Sequence, residues 1–210
     1  VFGLGYVGAC TAACLAKDGH TIIGVDPADS KREALNSGCS PILEASLDEL
    51  IANAVEHQQL TASHDFKDAV LNTDMAFVCV GTPSKPDGTA DLSALETVCK
   101  QIGRCLADRD RPYLVVVRST VLPGTTRGTV IPMLEEASAS QIGNKFDVVF
   151  HPEFLREGSS VYDFFHPPKV VAGCLDPTSA HSLMSLYSNQ YPGSRVICDF
   201  ECRVTKRKNI

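Results

Sequence analysis

Three glycines open the chain with the spacing Gly-x-Gly-x-x-Gly, in Val1-Phe2-Gly3-Leu4-Gly5-Tyr6-Val7-Gly8. That spacing suits a pyrophosphate. Gly3 permits a tight turn out of a strand, and Gly5 lets the backbone approach the phosphates. Gly8 lets the next helix pack closely on a sheet. The helix expected through Ala9, Ala12, Ala13, Leu15 and Ala16 then turns its N-terminal N–H groups toward the negative charge. A second strand, Thr21-Ile22-Ile23-Gly24-Val25, ends on Asp26. This places a carboxylate about 20 residues on, where it accepts hydrogen bonds from the adenosine ribose hydroxyls. A negative charge there repels a 2′-phosphate, so the pattern predicts NAD rather than NADP. The bland alternative is an ordinary βαβ turn with a solvated aspartate.

Further candidates fall at the ends of apolar runs. Met75 to Val80 reads as a strand buried on both faces, and it delivers Gly81 and Thr82 to the edge where ligands of parallel sheets bind. Tyr113 to Val117 delivers Arg118, Ser119 and Thr120 to the same edge; the Thr120 hydroxyl serves either a ligand or a helix cap. Phe146 to Phe150 ends in His151-Pro152-Glu153-Phe154-Leu155-Arg156-Glu157-Gly158. Glu153 and Glu157 are each suited to act as a general base for water, and each is equally a partner for Arg156. Lys31, near the start of a short helix, either reaches the adenosine end of the cofactor or is a solvated helix lysine.

The elements that must position these residues alternate. Helices are expected over Lys31 to Asn36, Leu47 to Val55, Phe66 to Val70, Leu92 to Leu106 and Thr178 to Tyr187. Strands are expected at Leu60 to Ala62, Val170 to Gly173 and Ser194 to Ile197, in addition to those above. The stretch from Gly38 to Ser46 is irregular. Strand and helix in alternation predict an α/β fold, a Rossmann-like doubly wound parallel sheet. The 210 residues suit one large domain with a short appendage, and 44% hydrophobic and 21% charged residues allow a sizeable core. A net charge of -6 without a broad basic stripe argues against nucleic acid. No run reaches the roughly 18 apolar residues a membrane span needs. Nine scattered cysteines, none in a Cys-x-x-Cys pair, fit small buried hydrophobes in a reducing cytoplasm and no metal site. Only Val1 and Phe2 precede the first glycine, where a strand carries about five residues, and no Met leads the chain; it reads as cut at its N-terminus.

Together these motifs resemble the N-terminal domain of the UDP-glucose/GDP-mannose dehydrogenase family, over nearly the whole chain from Phe2 to about Ile197. Val80-Gly81-Thr82-Pro83-Ser84, Arg118-Ser119-Thr120-Val121-Leu122-Pro123-Gly124-Thr125 and Tyr162-Asp163-Phe164-Phe165-His166-Pro167-Pro168-Lys169 are similar to the GDP-mannose branch rather than the UDP-glucose one. The resemblance implies NAD-dependent oxidation of a nucleotide sugar at C6, to the carboxylate, in two hydride transfers. Tyr6, Val7, Asp26, Lys31, Thr82 and Thr120 match the family's NAD contacts. Glu153 and Glu157 match its two glutamates at the reacting centre, Glu157 also toward the substrate; His151 replaces an asparagine at the head of that motif. Lys206 falls where the family has a catalytic, substrate-binding lysine, although Arg203 and Ile210 depart from the residues expected around it. None of the nine cysteines has the Gly-Gly-x-Cys-x-Pro-Lys-Asp context of the family's nucleophile. The resemblance therefore implies an NAD-binding domain over 1–198, the start of a divergent central helix region over 199–210, and a homodimer for the full-length enzyme. The chain reads as truncated at both ends and inactive alone, or as a non-catalytic NAD-binding remnant.

Overall fold

Seven short strands and eight helices follow one another in the computed structural model, which describes residues 1–187 and the backbone of the last strand. The strands are β1 (Ile22–Val25), β2 (Leu60–Ser63), β3 (Met75–Val78), β4 (Tyr113–Val117), β5 (Phe146–Phe150), β6 (Val171–Cys174) and β7 (Arg195–Ile197). The helices are α1 (Tyr6–Lys17), α2 (Asp29–Asn36), α3 (Leu47–Glu56), α4 (Phe66–Leu71), α5 (Ser93–Ala107), α6 (Ile131–Ser138), α7 (Ser160–Phe165) and α8 (Pro177–Met184). The expected boundary at 199–210, and Lys206 with it, lies outside the described residues. Among the described residues no helix is long and apolar enough to cross a membrane.

Across the sheet the order is β2, β1, the Val1–Gly3 segment, β3, β4, β5, β6, β7. The opening segment is short but fully engaged. Phe2 donates to the Phe77 carbonyl and accepts from the Cys79 N–H, both at 2.8 Å, while Val25 donates to Val1 and Gly3 donates to Val25, both at 2.7 Å. From this central segment the chain moves outward to β1 and β2, then returns to β3 on the other side of Phe2. The strand order reverses there, and a reversal opens a crevice at the carboxyl ends of the strands.

Alternation along the strands divides the core into two faces. Phe77, Leu114, Val116 and Val149 pack with α1, α3 and α8. Ala76, Val78, Val115, Val117 and Val148 pack with α4, α5 and α6. β4 is buried from end to end, as a strand covered on both faces must be.

Two features depart from the sequence expectation. β6 runs antiparallel to β5, pairing Val149 with Cys174, so the sheet is mixed at that edge. Between the two strands, residues 151–170 hold only the six-residue α7, about 9 Å long, and no full crossover helix. The second is the helix over 126–138, whose first part, Thr126–Val130, is a π-helical turn. Pro132 follows and has no N–H for the carbonyl four residues back, which favours a widened turn before it.

Candidate functional site

The glycine loop is built as its spacing requires. Gly3 has φ +91°, and a β-carbon on it would lie 2.9 Å from the Cys79 carbonyl oxygen. A β-carbon on Gly8 would lie 1.7 Å from the Gly3 carbonyl oxygen, so only glycine fits. At Gly5 the same atom would meet open space, the space a phosphate would need. Gly5 caps α1 without a side chain, and the first intrahelical bond runs from Ala9 to Gly5 at 2.9 Å. The N–H groups of Tyr6, Val7 and Gly8 therefore have no partner within the helix. Val7 packs its side chain on the core and has only its backbone to offer a ligand.

Asp26, at the end of β1, is 4% exposed. Its Oδ2 accepts from the Leu4 N–H at 2.7 Å and the Lys31 ammonium at 3.2 Å; its Oδ1 accepts from the Ala28 N–H at 3.0 Å. Burial alone would raise this carboxyl's pKa, but the Ala28, Leu4 and Lys31 donors together hold it below the usual range. A carboxylate offers about four acceptor positions. One remains for a ribose hydroxyl, and Lys31 releases another if it swings away. Gly3, Gly5, Asp26 and Lys31 line a cleft of about 480 Å³ whose far wall is α5, through Ser93, Thr97 and Gln101. Cys79 and Gly81 of the third strand end close its floor.

The other strand ends meet along the same edge. The Thr82 hydroxyl donates to the Thr120 carbonyl, so these two candidates are neighbours. Buried Ser119, which the sequence reading passed over, ties β4 to β3 by donating to the Val80 carbonyl at 2.6 Å. Glu153 is half-buried, with Oε2 accepting from the Leu155 N–H at 2.6 Å. Its charge is felt at Cys79, whose thiol is pushed up to about 11 by burial first, with Arg118 opposing and Glu153 adding to the rise. Glu157 is exposed and makes no hydrogen bond or ion pair among the described residues. Neither glutamate pairs with Arg156. That guanidinium instead grips buried Asp163 through Nε at 3.0 Å and Nη2 at 2.6 Å. The carboxyl of Asp163 lies below the usual range because of this pairing.

His151 turns inward. Its Nδ1 faces the Val171 carbonyl at 2.8 Å and so carries the proton, and Nε2 accepts from the Tyr187 hydroxyl at 2.9 Å. Burial, and then the nearby Arg118 cation, lower its pKa to about 3. The histidine is a neutral strut for the start of the glutamate turn. Arg118 is itself buried, its Nε has no hydrogen-bond partner among the described residues, and its cation lies 5.9 Å from the Phe164 ring. Sequence reasoning missed the roles of Arg118, Ser119 and Asp163. A single acid inside the apolar run Tyr162 to Phe165 was the one available signal, for Asp163. Tyr6, expected at the cofactor, directs its hydroxyl elsewhere, to Glu44 at 2.5 Å and the Arg156 carbonyl at 2.9 Å.

From Asp26 to the turn after β5 the site spans four inter-strand spacings, about 19 Å, suited to an extended dinucleotide with a reacting group at its far end. Among the described residues no cluster of histidine, cysteine, aspartate and glutamate could hold a metal ion. Six of the seven described cysteines are buried thiols.

Comparison with known proteins agrees with this geometry. The GDP-mannose 6-dehydrogenase of Pseudomonas aeruginosa is 46% identical over 187 residues, 89% of this chain and 43% of that protein. A UDP-glucose 6-dehydrogenase of Haloferax volcanii is 39% identical over 188 residues, 90% of this chain and 43% of that protein. The crystal structure of a ternary complex of the Pseudomonas enzyme superposes with a TM-score of 0.92 at 43% identity, over 95% of this chain and 46% of the other. A UDP-glucose dehydrogenase from Pyrobaculum islandicum gives 0.88 at 39% identity, over 95% and 45%. The chain thus spans less than half the length of these relatives. Residues 1–191 match the family described as UDP-glucose/GDP-mannose dehydrogenase family, NAD binding domain. The chain belongs to the UDP-glucose/GDP-mannose dehydrogenase family and carries its NAD-binding domain.

Proposed function

We propose that this chain is the cofactor half of an enzyme that oxidises GDP-mannose at C6 to GDP-mannuronate. The observation that carries the reading is the buried Asp26 carboxylate beside the glycine loop, lining one cleft together with Gly3, Gly5 and Lys31. The choice of sugar rests on identity: 45–46% to the GDP-mannose 6-dehydrogenases against 39% to a UDP-glucose enzyme.

NAD, when bound, accepts the hydride from the sugar C6 in each of two oxidations. The residues of this chain do the rest of the cofactor-side work. Asp26 and Lys31 orient the adenosine ribose, and the N–H groups of Tyr6, Val7 and Gly8 take the pyrophosphate charge. The Thr82–Thr120 pair borders the nicotinamide end. Glu153 has Oε2 tied to Leu155 and Oε1 without a partner, so it is placed to take a proton from the water that the second oxidation consumes. Glu157, exposed, faces the substrate side. Lys206 is assigned to catalysis and substrate binding on the resemblance alone. The family's nucleophilic cysteine has no counterpart in this chain, so the isolated chain binds NAD without turnover. The full-length enzyme is a homodimer on this reading.

The test joins this chain to the complementary half of the Pseudomonas enzyme. GDP-mannose-dependent NADH formation is expected, falling about 100-fold or more in Glu153→Gln, the range for loss of a general base. A chimera that folds and binds NAD yet forms no NADH, or one indifferent to Glu153→Gln, overturns the assignment.

A further inference from the structure

Glu44 lies in the irregular stretch between α2 and α3, yet three parts of the site meet on its carboxylate. Oε2 accepts from the Tyr6 hydroxyl at 2.5 Å and from the Gly158 N–H at 2.9 Å, and Oε1 accepts from the Ser160 N–H at 3.0 Å. Gly158 and Ser160 are 114 and 116 residues away in sequence. The simple explanation is that the first N–H groups of α7 need an acceptor and any nearby carboxylate serves. That account leaves Tyr6 unexplained. Tyr6 is the first residue of α1, at the helix end that faces the cofactor phosphates, and its hydroxyl is engaged by the far loop. The Arg156 carbonyl lies 2.9 Å from the same hydroxyl, a second acceptor for its one proton. Leu43, beside Glu44, is fully exposed, while Ile42 before it packs on the core.

The contacts clamp Glu157 from both sides. Arg156 before it has its carbonyl beside the Tyr6 hydroxyl at 2.9 Å and its N–H held by Asp163 at 3.0 Å. Gly158 after it, with φ +82°, is held at its N–H by Glu44. The Glu157 side chain between them is exposed and makes no hydrogen bond among the described residues.

We propose that Glu44 is a positioning residue that couples occupancy of the glycine loop to the geometry of the Glu153–Glu157 turn. A dinucleotide bound to the N–H groups of Tyr6 to Gly8 fixes the first turn of α1 and with it the Tyr6 phenol. Glu44 passes that restraint to Gly158 and Ser160. The proposal rests on the reading given above, in which this turn is the reacting centre. Hydrogen bonds from Tyr6, Gly158 and Ser160 outweigh partial burial and keep the Glu44 carboxyl below its usual range, so the acceptor is charged at neutral pH.

Coupling between two sites is reciprocal, which makes the test strict. Amide hydrogen exchange at Gly158 and Ser160 is followed in the 210-residue chain with and without saturating NAD, alongside calorimetric NAD affinity. Without NAD, Glu44→Gln is expected to speed exchange about tenfold with a fall in Tm of only about 3–6 °C, so that the chain stays folded, as loss of a charge-assisted bond implies. NAD is expected to slow exchange about fivefold in the wild type and not in Glu44→Gln, with NAD affinity weakened by the same factor. Tyr6→Phe keeps the slow NAD-free exchange and loses the NAD-dependent gain. Unchanged NAD-free exchange in Glu44→Gln, or NAD-dependent slowing that persists in either variant, overturns the proposal. A wild-type chain that does not bind NAD instead overturns the cofactor reading, and the NAD-free comparison still decides whether Glu44 holds the turn.

Discussion

Replacing Asp26 with asparagine changes almost no volume and removes one charge, which isolates what the carboxylate does. The amide oxygen of Asp26→Asn can keep the Ala28 N–H, the bond closest in sequence. The amide nitrogen is then a donor where Leu4 N–H and the Lys31 ammonium need acceptors. Losing one buried charge-assisted bond costs about 1.5–3 kcal/mol, and the Lys31 pair, with the lysine 39% exposed, adds at most about 1 kcal/mol. The expected loss is about 3 kcal/mol, or a fall in Tm of about 6–12 °C for a chain of this size. Acid narrows the gap. Because the folded-state pKa of Asp26 lies below its unfolded value, its stabilisation is complete above the unfolded pKa and is lost as pH falls through the folded one. Calorimetric scans of wild type and Asp26→Asn from neutral pH to strong acid read both effects. A variant that melts within about 1 °C of the wild type at neutral pH, or a gap that does not shrink in acid, would refute the reasoning.

Other positions separate packing from ligand space. Gly8→Ala places a β-carbon 1.7 Å from backbone and is expected to cost about 3 kcal/mol or more, read as loss of cooperative melting or a large fall in Tm. Gly5→Ala meets open space, so it should melt like the wild type while NAD affinity falls about tenfold or more; wild-type affinity would mean that no phosphate approaches there. His151, neutral and buried with its pKa lowered to about 3, charges on unfolding below its ordinary value of 6.5. The unfolded state then binds the extra proton, so stability falls by about 1.4 kcal/mol per pH unit from pH 6.5 down toward 3. His151→Asn should flatten that slope in urea titrations, and an unchanged slope would place the acid lability elsewhere.

The parts of this molecule that were legible in the sequence are those written in local chemistry. The glycine loop, Asp26 and the buried run Tyr113 to Val117 each announce their structure within a few residues, through turn geometry or unbroken apolar character. The helix over 126–138 was missed because Thr126, Thr129 and Gly128 hide its apolar face and Pro132 interrupts it with a widened turn. The reversal of β6 was also illegible, since the 20 residues between Phe150 and Val171 are long enough for either direction. Arg156 was weighed as a partner for the glutamates four residues apart around it. The structure pairs it with Asp163, whose low exposure no spacing reveals. Glu44 carried no local signal at all: its partners lie at Tyr6, Gly158 and Ser160, joined only by the folded chain.

Titration calorimetry with NAD and NADP shows whether a folded domain selects NAD through Asp26. Saturable NAD binding is expected, with NADP weaker by about 100-fold or about 2.7 kcal/mol, and a gap that narrows in Asp26→Ala together with weaker NAD binding. Equal affinity for the two cofactors, or no NAD binding by a chain shown to melt cooperatively, would contradict it.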